Sequence, residues 1–223
     1  MRKLTMLAAL AATTAISTPA LAGNPEGNWQ VKVLGTGVLV DGEISKVELD
    51  PLALTPGGQT DINNNVVPTV AIEYYATKNI SVETICCLTQ HHATGRGTLD
   101  GARLVDHIMI LPATVTVKYH LDAGPIKPYV GVGPSLFFFI DEKPGADAAA
   151  LGVDKLKLEN EFGFAVQAGV DIPVNDTGMG ISIDAKKYFM DTTAHFKVGG
   201  SDVLVTEHKL DPWVVSGGVY FRF

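Results

Sequence analysis

The stretch Ala113-Thr114-Val115-Thr116-Val117-Lys118-Tyr119-His120-Leu121 decides the fold, because apolar and polar residues alternate along it. Successive side chains of an extended chain point to opposite faces. Ala113, Val115, Val117, Tyr119 and Leu121 therefore share one face, and Thr114, Thr116, Lys118 and His120 share the other. The last segment repeats the pattern, with Trp213, Val215, Val219, Phe221 and Phe223 opposing Ser216, Gly218, Tyr220 and Arg222. Another sets Phe162, Phe164, Val166, Val170 and Ile172 against Glu159, Glu161, Gln167 and Asp171.

Eight such segments run approximately over 28–40, 66–77, 79–90, 108–121, 127–140, 159–173, 178–190 and 211–223. Each reaches the roughly ten residues that cross a bilayer as a tilted strand, and an even number lets an antiparallel sheet close. Alternation alone leaves open which face is buried, since soluble barrels turn the apolar side inward.

Three further features choose. Thr77-Lys78, Asp122 to Ile126 and Val174 to Thr177 are tight connections, whereas 41–65, 91–107, 141–158 and 191–210 are long, the short-periplasmic, long-external habit of outer-membrane barrels. Outward aromatics gather at two depths: Trp29, Tyr74, Tyr119, Phe221 and Phe223 near the short turns, and Phe138, Phe162 and Trp213 near the long ones. The polar face carries Lys32, Glu73, Glu83, Lys118, Asp184, Lys186 and Arg222, which a narrow lumen can hold as paired ions. The expected fold is all-β, an eight-stranded antiparallel transmembrane β-barrel.

The N-terminus reads as an export signal. Arg2 and Lys3 precede an apolar run from Leu4 to Ile16, and Ala20-Leu21-Ala22 offers a small-residue cleavage site. Residues 1–22 are expected to be removed, leaving 23–223 as one barrel domain in the outer membrane. Loss of Arg2 and Lys3 leaves 15 basic against 24 acidic side chains, so the formal charge moves from -7 to -9 and nucleic acid is not an expected partner. Cys86 and Cys87 are adjacent and would face opposite sides of a strand, so both are read as free thiols. His91 and His92 fall in a long connection beside Arg96, as His107, His195 and His208 fall in or near others. No carboxylate cluster accompanies them, so no metal, cofactor or catalytic set is expected.

Several stretches resemble the outer membrane protein W family of small barrels. They are Lys127-Pro128-Tyr129-Val130-Gly131-Val132-Gly133, Leu111-Pro112-Ala113-Thr114, Asp191-Thr192-Thr193-Ala194 leading to Gly199-Gly200, and Leu210-Asp211-Pro212-Trp213. The resemblance covers nearly all of 23–223. It implies an eight-stranded barrel with a hydrophobic channel or pocket, passage of small apolar molecules, and sideways release into the membrane because the channel is blocked before the periplasm. It also implies docking of phage or bacteriocins in some members. Where that family tends to place an aromatic gate on the seventh strand, the matching register here holds Lys186, with Ile85 opposite.

Sorting the inward positions by height gives an apolar upper cup of Val38, Ile85, Cys87, Phe137, Phe139 and Phe189, with small Gly133 and Ser135. Below it lies a polar floor that adds Tyr75, His120, Gln167, Asp171 and Tyr220 to the seven charged residues. Buried charges must pair, so an aqueous through-pore is not expected. Pro68, Pro112, Pro128 and Pro134 lie in strands and each removes a ladder donor; Pro134 is the expected lateral gate. The final Tyr220-Phe221-Arg222-Phe223 is similar to the endings that barrel-assembly machinery reads, so Phe223 is its expected contact. Two other readings stay open: a structural or adhesive barrel acting through its long loops, and a lipid-modifying enzyme, for which the outward faces offer no His and Ser pair.

Overall fold

The computed structural model describes residues 23–51 and 53–223, and the expected export signal lies outside them. In chain order the strands are β1 (Trp29–Leu39), β2 (Glu43–Leu49), β3 (Gly58–Ile62), β4 (Asn65–Tyr75), β5 (Ile80–Cys86), β6 (Thr89–Gly97), β7 (Arg103–His120) and β8 (Lys127–Pro144). A short helix α1 (Ala146–Ala150) leads to β9 (Lys155–Leu158), β10 (Glu161–Pro173), β11 (Met179–Phe189), β12 (Asp191–Val198), β13 (Ser201–Lys209) and β14 (Trp213–Arg222). Among the described residues no helix is long and apolar enough to cross a membrane.

Eight strands form the closed antiparallel wall, in the order β7-β5-β4-β1-β14-β11-β10-β8, with β8 pairing back onto β7. The first and last strands close it in unbroken register from Gln30↔Arg222 to Leu39↔Trp213. Closure satisfies the backbone within the sheet, which is what lets strands cross hydrocarbon. The alternation of the sequence becomes an inside-out barrel. Val33 is 56% exposed and Val117 52%, while Lys32, Glu73, Lys118 and Glu83 are at most 1% exposed. Trp29 and Tyr74 pack at 4.9 Å at one rim, and Phe164 stacks on Phe189 at 4.7 Å nearer the other.

The long connections, loops by the sequence pattern, are mostly strand. β2, β13, β12 and β9 form a second antiparallel sheet in that order. Together with β3, β6 and the far ends of β7 and β8 it makes a crown over the wall. Its two seams are stitched by side chains where no ladder runs. Between β2 and β3, Gln59 Oε1 accepts from Ile44 N–H (2.8 Å) and its amide donates to Ile44 C=O (3.3 Å). Between β8 and β9, Lys157 pairs with Glu142 (3.0 Å), and Asn160 Oδ1 accepts from Phe139 N–H (3.0 Å). In the crown the alternation changes sense: Thr192, Ala194 and Phe196 are buried, while Thr193, His195 and Lys197 lie at the outer surface. Outward positions there meet water, so the apolar residues turn inward.

Candidate functional site: an apolar lumen over a charged floor

The lower lumen is filled by ions that neutralise one another. Lys32, Lys118, Lys186 and Arg222 contribute four positive charges, and Glu73, Glu83, Asp171 and Asp184 four negative ones, a balance of zero. Glu83 is the hub, within 3.1 Å of Lys32, 2.9 Å of Lys118 and 3.2 Å of Lys186. Glu73 meets Lys32 (3.0 Å), Lys118 (2.9 Å) and His120 (2.9 Å), and Lys186 also holds Asp184 at 2.7 Å. Arg222 lies 3.6 Å from the centre of the Tyr75 ring and donates Nε–H to Gly27 C=O (2.6 Å). Gln167 bridges Glu83 (3.0 Å) and Asp184 (2.6 Å), and Tyr129 donates its hydroxyl to Asp184 (2.9 Å). The chain makes room for that ring at Gly169, where a Cβ would overlap it. All seven expected floor residues, Lys32, Glu73, Glu83, Lys118, Asp184, Lys186 and Arg222, are buried here. Gln30 and Tyr129 join them without having been singled out by sequence, although Tyr129 shares the odd-numbered inward face of Phe137 and Phe139.

Above the floor three apolar cavities stack from floor to crown. The lowest is lined by Val38, Cys87, Ile110, Pro112, Phe137 and Tyr188 among others, and shares His91, Ile110 and Leu210 with the middle one. The middle one holds Phe139 and shares Thr60, Leu104, Phe196 and His208 with the uppermost. None of the three includes an acidic, Lys or Arg side chain. A further cavity at the periplasmic mouth, lined by Gln30, Tyr75, Lys127, Asp171 and Arg222 among others, shares no lining residue with them, so the floor separates the two.

Of the expected cup residues, Val38, Phe137 and Phe139 line these cavities, and Ile85 is buried without reaching one. Phe189 does not belong. It is 38% exposed and faces outward onto Phe164, because the inward positions of β11 are even-numbered and put Tyr188 in the lumen instead. Tyr188 meets Phe137 edge-on at 5.3 Å and closes the base of the lowest cavity, two residues above Lys186. Cys86 and Cys87 are free thiols on opposite faces, one exposed and one buried. His91, His92, His107, His195 and His208 stand on strands β6, β7, β12 and β13, not in loops as the sequence suggested.

The wall is weakened where prolines fall. Tyr75 N–H bonds Asn28 C=O and His120 N–H bonds Asn79 C=O. Counting back by twos, the position of Pro68 on β4 and that of Pro112 on β7 both direct their missing donor at the Cys87–Leu88 segment between β5 and β6. The β4–β5 ladder stops at Val70↔Cys86. Beyond it β4 and the residues before it meet β6 through single hydrogen bonds, among them Asn65 Nδ2 to Gln90 C=O (2.8 Å) and Asn63 N–H to His92 C=O (3.2 Å). Pro134 also interrupts pairing, since the β7–β8 ladder has Thr114↔Ser135 and Val117↔Val132 with no pair between. There the strands stay pressed together, because a Cβ on Gly133 would overlap the Val115 carbonyl.

Two histidines stand in the stack. His91 Nδ1 lies 2.7 Å from Asn63 C=O, so it carries the proton, and Nε2 accepts from Thr89 (2.9 Å). His208 repeats this: Thr60 gives its proton to Gly42 C=O, so Nδ1–H donates to Thr60 Oγ1 (3.2 Å), and Nε2 accepts from Thr206 (2.7 Å). Burial in the crown pushes the His208 pKa from 6.5 down to about 4, partly opposed by the Gly42 backbone. Above pH 6.5 both folded and opened crown hold it neutral. As pH falls towards 4 the opened form takes up a proton that the closed form excludes. The crown is therefore expected to lose up to about 3 kcal/mol over that window. Amide-exchange protection of Val205 and His208, corrected for intrinsic rates, should fall between pH 7 and 4, and a His208→Asn variant should lose that pH dependence.

A lipid-facing wall of eight strands around an apolar lumen, sealed by ions at one end, defines a small outer-membrane β-barrel. The chain belongs to the OmpW family, whose model matches residues 25–223. It is 31% identical to the Sinorhizobium fredii outer-membrane protein y4mB, over 96% of this chain and 90% of that protein. It is 29% identical to outer membrane protein W of Escherichia coli across all of both chains. Its fold matches the crystal structure of outer membrane protein OprG from Pseudomonas aeruginosa with a TM-score of 0.79 at 24% identity, over 91% of this chain and 98% of that one.

Proposed function

We propose that the protein takes small apolar solutes from the outside through its crown and lumen and releases them sideways into the outer membrane. The observation that carries the reading is the run of three apolar cavities, neighbours through shared lining residues, that stands on a neutral floor with a break in the wall beside the lowest of them. A solute entering the crown exchanges water for apolar contacts, each buried methylene contributing about 0.8 kcal/mol. It finds no way on through the ions, whereas the gap beside Cys87 and Leu88 opens toward lipid. Pro134 is a second proposed exit, held tighter by Gly133. The reading assigns no catalysis to the barrel. Phe223, hydrogen-bonded in both directions to Trp29 at the periplasmic rim, is the proposed contact of the assembly machinery.

The test is uptake of a small alkane by vesicles with a lipopolysaccharide outer leaflet, comparing wild type with Phe137→Lys. A cation beside Tyr188 removes apolar contact equal to two or more methylenes and is expected to slow protein-dependent uptake at least about tenfold. Equal rates in a folded variant would count against a transport lumen.

A further inference from the structure

The two histidines belong to a repeated unit. Thr89-Gln90-His91 on β6 and Thr206-Glu207-His208 on β13 each place a threonine two residues before an inward imidazole and cap its Nε2. Their positions along the lumen are equivalent in kind: His91 lines both the lowest and the middle cavity, His208 both the middle and the uppermost. A solute moving through the stack passes each of them.

In both units the hydrogen-bonding capacity of the ring is used up inside the wall, Nδ1–H on Asn63 or Thr60 and Nε2 on Thr89 or Thr206. The other buried threonine hydroxyls that line the three cavities likewise spend their protons inside the wall, and the Tyr188 hydroxyl meets Thr114 at 3.3 Å. Thr55 donates to Asp50, Thr60 to Gly42 and Thr192 to Glu159 C=O. The oxygen of a passing hydroxyl or carboxyl would lose its water without finding a free donor, whereas a hydrocarbon loses nothing polar.

We propose that the two Thr-x-His units are specificity-determining constrictions, which admit unfunctionalised hydrocarbons and discriminate against their alcohols. This rests on the lumen being a passage for apolar solutes. Discrimination by a site with no free donor is expected to be about fivefold or more for one hydroxyl.

Protein-dependent uptake of n-nonane and 1-nonanol into vesicles with a lipopolysaccharide outer leaflet, each corrected for protein-free vesicles, tests it. Wild type should take up nonane at least about fivefold faster than nonanol. Thr89→Val and Thr206→Val each uncap an imidazole nitrogen that can accept the alcohol's hydrogen bond. Together they should raise the nonanol-to-nonane ratio about fivefold. Thr89→Ser with Thr206→Ser keeps the caps and should keep the wild-type ratio. Equal wild-type rates for the two solutes overturn the proposal by themselves, even if the valine variants fail to fold, and an unchanged ratio in folded valine variants does the same. Absence of any protein-dependent nonane uptake would instead overturn the transport reading on which it stands.

Discussion

Replacing Glu83 with glutamine is expected to destabilise the barrel by about 3–5 kcal/mol, the usual consequence of removing one partner from a buried ion cluster. Glu83 touches three lysines, all at most 2% exposed, and without it Glu73, Asp171 and Asp184 leave the four buried cations, Arg222 included, one negative charge short. Gln167, which donates to Glu83, would also face an amide. Urea unfolding in lipid vesicles gives the free energy directly, and the temperature at which gel mobility shifts should fall with it. A change below about 0.5 kcal/mol, the level of an ordinary surface substitution, would mean that water already reaches these ions and that the floor is no seal. A buried ion cluster is weak evidence of stability in itself, since apolar side chains of similar volume often do as well. Its consequence for the proposed function is closure: groups that cannot separate cheaply fill the lumen on the side of the short turns.

The second large effect concerns the wall. Pro68→Val with Pro112→Val returns two N–H donors to the strand segment at Cys87 and Leu88. Each restored bond is worth about 1 kcal/mol, so together they should reduce the population of an opened wall about thirtyfold. Release of apolar solute into the bilayer should slow by the same factor, while the barrel becomes harder to unfold. Unchanged release from the repaired wall would move the exit elsewhere, with Pro134 as the next site to repair.

Much of this architecture is written in the alternation. The eight spanning segments and the paired lumen ions follow from one rule, apolar outward and polar inward, because the hydrocarbon imposes it on every strand at the same depth. The rule fails where the bilayer ends. Along β8, Leu136, Phe138 and Ile140 face out while Phe137 and Phe139 face in, so both faces are apolar and the period carries no contrast. Beyond Met190 the sense reverses, and Thr192, Ala194 and Phe196 look like loop residues to a rule tuned for lipid. Phe189 lies at this boundary and faces outward, because the even-numbered face of Asp184 and Lys186 continues to Tyr188. The crown is invisible to the same rule, since its seams depend on Gln59, Glu142 and Asn160, single polar residues whose partners are distant in sequence. The Thr-x-His repeat was legible as spacing, but its meaning needed both strands placed around one lumen.

The most direct measurement follows where the solute goes. An apolar dye that brightens in lipid can be added outside vesicles containing the barrel, while ionic conductance is recorded across the same membrane. Lateral release predicts dye fluorescence in the bilayer at the rate at which it leaves the medium, with no protein-dependent conductance. Dye reaching the vesicle interior before the bilayer, together with steady ion current, would contradict it.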